Sequence, residues 1–151
     1  MSDKFTLNAT VERQVGQLNF FDFVSNVDLN AGNDQTGNVQ IVPDQRWKFT
    51  LDAERNYGSW GALTAELFYD DIEDLIDQVP IGDGEGPGNL DSASRFGFEF
   101  EGTLRFDNLG WNGAQLEYEG FVQDTFLDDP LTGATRDFSW SPNQWNNLQI
   151  R

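Results

Sequence analysis

The sequence predicts an all-β chain, an antiparallel up-and-down meander of about six strands, and three observations predict it. Apolar residues recur at every second position in several runs, Gly, Asn and Asp bound those runs, and the connections between them alternate in length. The clearest case lies at residues 96–122. There Phe96, Phe98, Phe100, Leu104 and Phe106 alternate with Gly97, Glu99, Glu101, Thr103 and Arg105. After turn residues 107–113 the pattern returns as Ala114, Leu116, Tyr118, Gly120 and Val122 against Gln115, Glu117, Glu119 and Gln123. A hairpin of this kind has one apolar and one charged face, so two different surroundings meet it.

The same alternation recurs along the chain. Phe5, Leu7, Ala9 and Val11 alternate with polar residues in a first strand. Residues 15–45 break the pattern with Asn, Asp and Gly at their middle. Trp47, Phe49, Leu51 and Ala53 form a second strand, residues 56–61 a short turn, and Leu63, Ala65, Leu67 and Tyr69 a third strand. Residues 71–91 read as a second long loop, closed by the Gly- and Pro-rich run 82–89. Strands four and five are the hairpin, residues 124–143 a third long loop, and residues 145–151 the start of a sixth strand.

Every odd connection is long and acidic and every even one short. Transmembrane barrels of the outer-membrane type have this asymmetry, with short periplasmic turns at one rim and long loops at the other. Trp47, Tyr69, Phe96, Phe106 and Trp111 stand near strand ends, where aromatic girdles meet the two interfaces. The pattern therefore predicts lipid on one face and water on the other.

Composition narrows the function. With 26 acidic against 9 basic side chains and a net charge of -17, the chain is unsuited to nucleic acid, whose phosphates demand Lys and Arg. It has no Cys and no His, which excludes Ser-His, Cys and metal-His chemistry within the chain. No enzyme activity, cofactor or metal is expected. Met1, Ser2, Asp3 and Lys4 carry no apolar run of a signal peptide, and no stretch reaches the roughly 20 apolar residues of a spanning helix. A spanning strand needs only about 9–11 residues.

Residues 12–20 (ERQVGQLNF), 69–82 (YDDIEDLIDQVPIG) and 86–102 (GPGNLDSASRFGFEFEG), followed by Asp129, Pro130, Leu131, Thr132 and Gly133, resemble the β-barrel of a TonB-dependent outer-membrane receptor. The family pattern G-N-x-x-x-A-x-x-x-G-x-E-x-E falls on Gly88, Asn89, Ala93, Gly97, Glu99 and Glu101. The resemblance implies the outer membrane of a Gram-negative bacterium, with outer-membrane lipid around the barrel. It also implies import of siderophores, cobalamin or glycans, with TonB and a small-molecule ligand as partners of the full-length parent. Family members add a signal peptide, a TonB-contacting segment and a plug inside a barrel of about 22 strands. Residues 1–151 are thus expected to be an internal piece of such a barrel, inactive alone. The alternative is a soluble acidic β-sheet binding domain whose apolar rows pack against each other and whose long loops hold a ligand or protein.

Several local constellations have both a chemical and a plain structural reading. Asp70, Asp71, Glu73, Asp74 and Asp77 have calcium-ligand chemistry but read as a solvated loop end. Asp28, Asn30, Gly32 and Asp34 fail the calcium-loop pattern, with Gly32 at its fifth position and Val39 at its twelfth. The pairs Glu99 with Glu101 and Glu117 with Glu119 have the carboxylates of a glycosidase, but strand alternation makes them polarity of one face. The alternating glycines of 82–88 lack the Lys and Ser/Thr of a phosphate loop. Phe20, Phe21 and Phe23, three aromatics in four loop residues, are the candidate ligand contacts, with packing against the barrel rim as the plain structural alternative.

Overall fold

The structure, a computed structural model, describes residues 4–23, 26–28, 33–35, 37–81, 84–139 and 141–151. Nine strands form one sheet: β1 (Lys4–Val15), β2 (Asn26–Asp28), β3 (Asn33–Gln35), β4 (Gln45–Asn56), β5 (Gly61–Ile81), β6 (Gly84–Arg105), β7 (Gln115–Asp128), β8 (Thr135–Arg136) and β9 (Gln144–Ile150). Six of them, in spatial order β1-β4-β5-β6-β7-β9, are each antiparallel to the next. The chain is therefore all-β and up-and-down, as its alternation predicts. The sheet is open, because among the described residues β1 pairs only with β4 and β9 only with β7. Among the described residues no helix is long and apolar enough to cross a membrane, which says nothing about strands.

Connections sort by end. At one end β4 and β5 are joined by a 3₁₀ turn at Gly58–Trp60, and β6 and β7 by one at Asp107–Leu109. Gly61, with φ 136°, closes the first of these turns. A side chain there would come within 1.8 Å of the Thr103 carbonyl oxygen, so only glycine fits. The long connections all lie at the other end. The first contains a 3₁₀ turn at Phe20–Phe23 together with β2 and β3, and the last folds back through β8.

One expectation fails. Residues 71–91 are not a loop: β5 and β6 continue as a paired hairpin from Gly61–Leu104 out to Ile81–Gly84. Pairing pauses between Glu73–Ser92 and Leu75–Leu90, and Asp74 there has φ 57°. Ile72 and Leu75, three residues apart, consequently share one side, as do their partners Ala93 and Leu90. The period of two changes phase at that point, so a strand continues where alternation in the sequence stops. The Gly82–Asp83 tip lies outside the described residues, as do Asn30 and Gly32.

The core sits on the polar face at the long-connection end. Ile72, Leu90, Ala93 and Leu127 are buried, with Leu75, Val79 and Phe138 packed against them. Phe138 comes from the last connection, held by its N–H donating to Thr125 Oγ1 at 3.0 Å.

Candidate functional site

The register fixes which side chains share a face. Rows such as Ala9-Leu51-Leu67-Phe98-Val122 and Val11-Phe49-Tyr69-Phe96 run across the sheet. Nothing in the described structure packs on them: Phe5, Leu7, Leu51, Leu67, Phe98, Val122 and Leu148 are all exposed. Trp47 and Tyr57 lie ten residues apart on one side of β4 and its end, as do Phe96 and Phe106 along β6. Ten steps along a strand span about 33 Å, and a tilt of about 40° reduces that to the ~25 Å apolar band of a barrel. Five strand spacings add a width of about 24 Å, giving an apolar face of about 800 Å². Soluble monomers rarely expose more than about 300–600 Å² in one patch.

Charge is segregated to match. Glu12, Asp52, Glu54, Glu66, Glu99, Glu101, Glu117 and Glu119 all stand on the opposite, polar face by alternation and register. On the apolar face the described strands carry no carboxylate between the Phe96 and Phe106 rows, while Asp124, paired with Phe96, and Asp71, paired with Trp47, stand at the outer aromatic level. Only two cations stand on that face: Arg13, 6.0 Å from the Trp47 ring centroid, and Arg55, 5.0 Å from that of Tyr57. On the polar face Glu66 pairs across strands with Glu99, and Glu101 with Glu119. Lys48 reaches Glu66 at 3.4 Å. These carboxylates form charged rows across a sheet.

The acidic run near residue 70 is solvated only in part: Asp71 and Glu73 are exposed, but Asp70 and Asp77 are buried. Asp70 is fully buried, and its Oδ2 accepts from Arg95 Nε at 3.0 Å and Arg95 Nη2, with Arg46 Nη1 at 3.9 Å. Its Oδ1 has no partner among the described residues. The Arg95 guanidinium also lies 5.0 Å over the Phe68 ring. That ring rests on Gly97, where a Cβ would approach its Cζ to 2.6 Å. Asp77 is buried too, with Arg136 Nη2 at 3.5 Å and the Ser139 N–H donating at 2.8 Å. Among the described residues no group of three or more acidic side chains is placed to hold a metal ion.

The candidate contacts Phe20, Phe21 and Phe23 lie together in the first 3₁₀ turn. Asn19 starts it, its Oδ1 accepting from the Phe21 N–H at 3.1 Å and its carbonyl from the Asp22 N–H at 3.0 Å. Asn38 N–H donates to the Asp22 carbonyl at 3.0 Å and anchors the turn. Phe20 and Phe21 are 72% and 77% exposed and meet edge-on at 6.1 Å, whereas Phe23 is half-buried. The rings of Phe20 and Phe21 are thus displayed at the long-connection end. Replacing both with Ala is expected to change unfolding stability by less than about 0.5 kcal/mol, as for surface sites. A denaturant titration checks this; a larger loss would mean the rings are structural.

The last connection turns on Asp129. Its Oδ1 accepts from the N–H groups of Leu131 and Thr132 at 2.9 and 2.8 Å, and its Oδ2 from Arg136 Nε at 3.1 Å. The Thr132 amide, then the Leu131 amide, the Thr132 hydroxyl and Arg136, hold its carboxyl below the ordinary 3.8, against the opposing effect of desolvation. A carboxyl lowered in the fold stabilises it above the ordinary value and loses that contribution as pH falls through the folded value. The protection of the Leu131 and Thr132 amides, their exchange rate relative to the intrinsic rate at the same pH, is therefore expected to hold at pH 5 and to fall below the ordinary carboxylate range. Protection that persists well below that range would contradict this.

Sequence reading did not find the Asp70–Arg95 pair, the Asp77–Arg136 pair or the Asn89 clamp. Asn89 Oδ1 accepts from the Val42 N–H and its Nδ2 donates to the Val42 carbonyl, both at 2.9 Å, tying the first long connection to β6. One signal was available: Arg95 is a lone cation between Ala93 and Gly97 in an acid-rich chain. Neither a known protein-family model nor a curated protein matches this chain.

Proposed function

We propose that this chain is a section of the wall of an outer-membrane β-barrel of the TonB-dependent receptor type. In that reading the short turns face the periplasm and the long connections face outward. The observation that carries it is the single-layered sheet whose one face is apolar and uncovered among the described residues, while between the Phe96 and Phe106 rows every strand carboxylate stands on the other face. A soluble sandwich would cover such rows with a second sheet about 10 Å away. The open edges at β1 and β9 have unpaired backbone groups that lipid cannot satisfy, so further strands would be needed to close a barrel.

In this reading the outer connections display Phe20 and Phe21 to an arriving small-molecule ligand, and Phe23 supports them. TonB and a plug belong to the parent protein, and the chain alone transports nothing. The test is partition of the expressed chain between buffer, detergent and vesicles, followed by circular dichroism. Aggregation in buffer with a β-sheet spectrum in detergent is the expected result. A folded monomer in detergent-free buffer would overturn the reading in favour of a soluble acidic binding domain.

A further inference from the structure

We propose that the apolar face carries a seat for one phospholipid at the short-turn end, with an acyl chain in a notch over Gly102 and the phosphate on Arg55. This rests on the lipid-facing reading above. In the cross-strand row Arg55-Leu63-Gly102-Tyr118-Leu148, Gly102 is the position without a side chain. The gap opens a cavity of about 680 Å³ walled by Tyr57, Trp60, Leu63, Phe100, Leu104 and Tyr118. That volume falls within the roughly 300–1,000 Å³ typical of ligand clefts.

The backbone does not demand glycine there. Gly102 is absent from the positive-φ residues, and a Cβ would find its nearest neighbour, Leu63 Cδ1, at an ordinary 3.4 Å. The notch is therefore space that a side chain could fill and that this sequence leaves open. Its walls are the rings that line an interfacial aromatic level, where an acyl chain meets its headgroup.

The charge beside it matches a phosphate. Arg55 is the next residue along the row, pairing with Leu63, and its guanidinium lies 5.0 Å from the Tyr57 ring that walls the notch. Among the described residues no carboxylate stands within 4.0 Å of it, in a chain with 26 acidic side chains. A guanidinium free of carboxylates at the headgroup level is a donor fork for a phosphodiester.

The test has two readouts on the full chain. Flotation with phosphatidylglycerol–phosphatidylethanolamine vesicles reports whether the chain enters lipid at all. Native mass spectrometry from detergent micelles titrated with phosphatidylglycerol then reports binding. A one-to-one adduct is expected, weakened about tenfold in Arg55→Gln, which loses a charge-assisted contact, and comparably in Gly102→Leu. Diacylglycerol, which lacks the phosphate, should bind the parent chain and Arg55→Gln alike but not Gly102→Leu. If the chain floats yet all three proteins bind phosphatidylglycerol equally, or dimers appear in place of lipid adducts, the seat is refuted and the lipid-facing reading survives. If nothing floats, the lipid-facing reading itself fails.

Discussion

Replacing Arg95 with Met is expected to destabilise the sheet by about 3–5 kcal/mol. The substitution keeps an unbranched apolar chain but removes the guanidinium that lies over Phe68 and bonds Asp70 Oδ2. Asp70 is wholly shielded from solvent and already has one oxygen without a partner, so the charge left behind has nowhere to turn. Arg46, 3.9 Å away, offsets part of the loss and favours the lower end of the range. Removing both charges, as Asp70→Leu with Arg95→Met, should recover most of it, because a buried pair often contributes little beyond an apolar replacement of similar volume. Urea unfolding in detergent micelles, followed by tryptophan fluorescence, measures both variants. A loss below about 1 kcal/mol for the single variant would place the pair among exposed ion pairs and contradict its burial.

The same region shows what the sequence made legible and what it did not. Strands with an unbroken period of two were readable, because the pleat sends neighbours to opposite faces and the two faces of this sheet differ in chemistry. β1, β4 and the β6–β7 hairpin appear in the structure within a few residues of where alternation places them. The outer half of β5 and β6 was not readable, because Asp74 adopts a left-handed conformation and shifts the phase on both strands together. Glycines and Pro87 in β6, which look like loop residues, pair with Val79, Gln78 and Asp77 instead. Gly88 is needed there because a Cβ would come within 2.3 Å of Val79 Cγ2. Such requirements come from the neighbouring strand and leave no mark in local sequence.

The residues that carry the family resemblance have structural work in this fold. Asn89 clamps the Val42 peptide, Ala93 lies in the small core, and Gly97 makes room for the Phe68 ring beneath Arg95. Glu99 and Glu101 are exposed on the polar face. None of these positions contacts Phe20 or Phe21 in any described interaction. A shared pattern at these positions therefore bears on how the sheet is built.

Replacing Leu67 with Arg decides between the two surroundings of the apolar face. Leu67 stands in the row Ala9-Leu51-Leu67-Phe98-Val122, inside both aromatic levels, and is 53% exposed. In lipid that row lies within the apolar band, where an Arg on a barrel wall costs up to about 2–4 kcal/mol. In water the same change at an exposed site is worth no more than about 0.5 kcal/mol and should raise solubility, since it interrupts an apolar patch. Thr64, three residues earlier and exposed on the polar face, is the matched control, and Thr64→Arg should be near neutral in either surrounding because its neighbours Glu66, Glu101 and Glu119 attract the charge. Unfolding free energies of the two variants, measured in lipid vesicles, are expected to differ by about 2 kcal/mol, with Leu67→Arg the less stable. Equal values would mean that both faces of the sheet meet water, and the apolar rows would then need a protein cover.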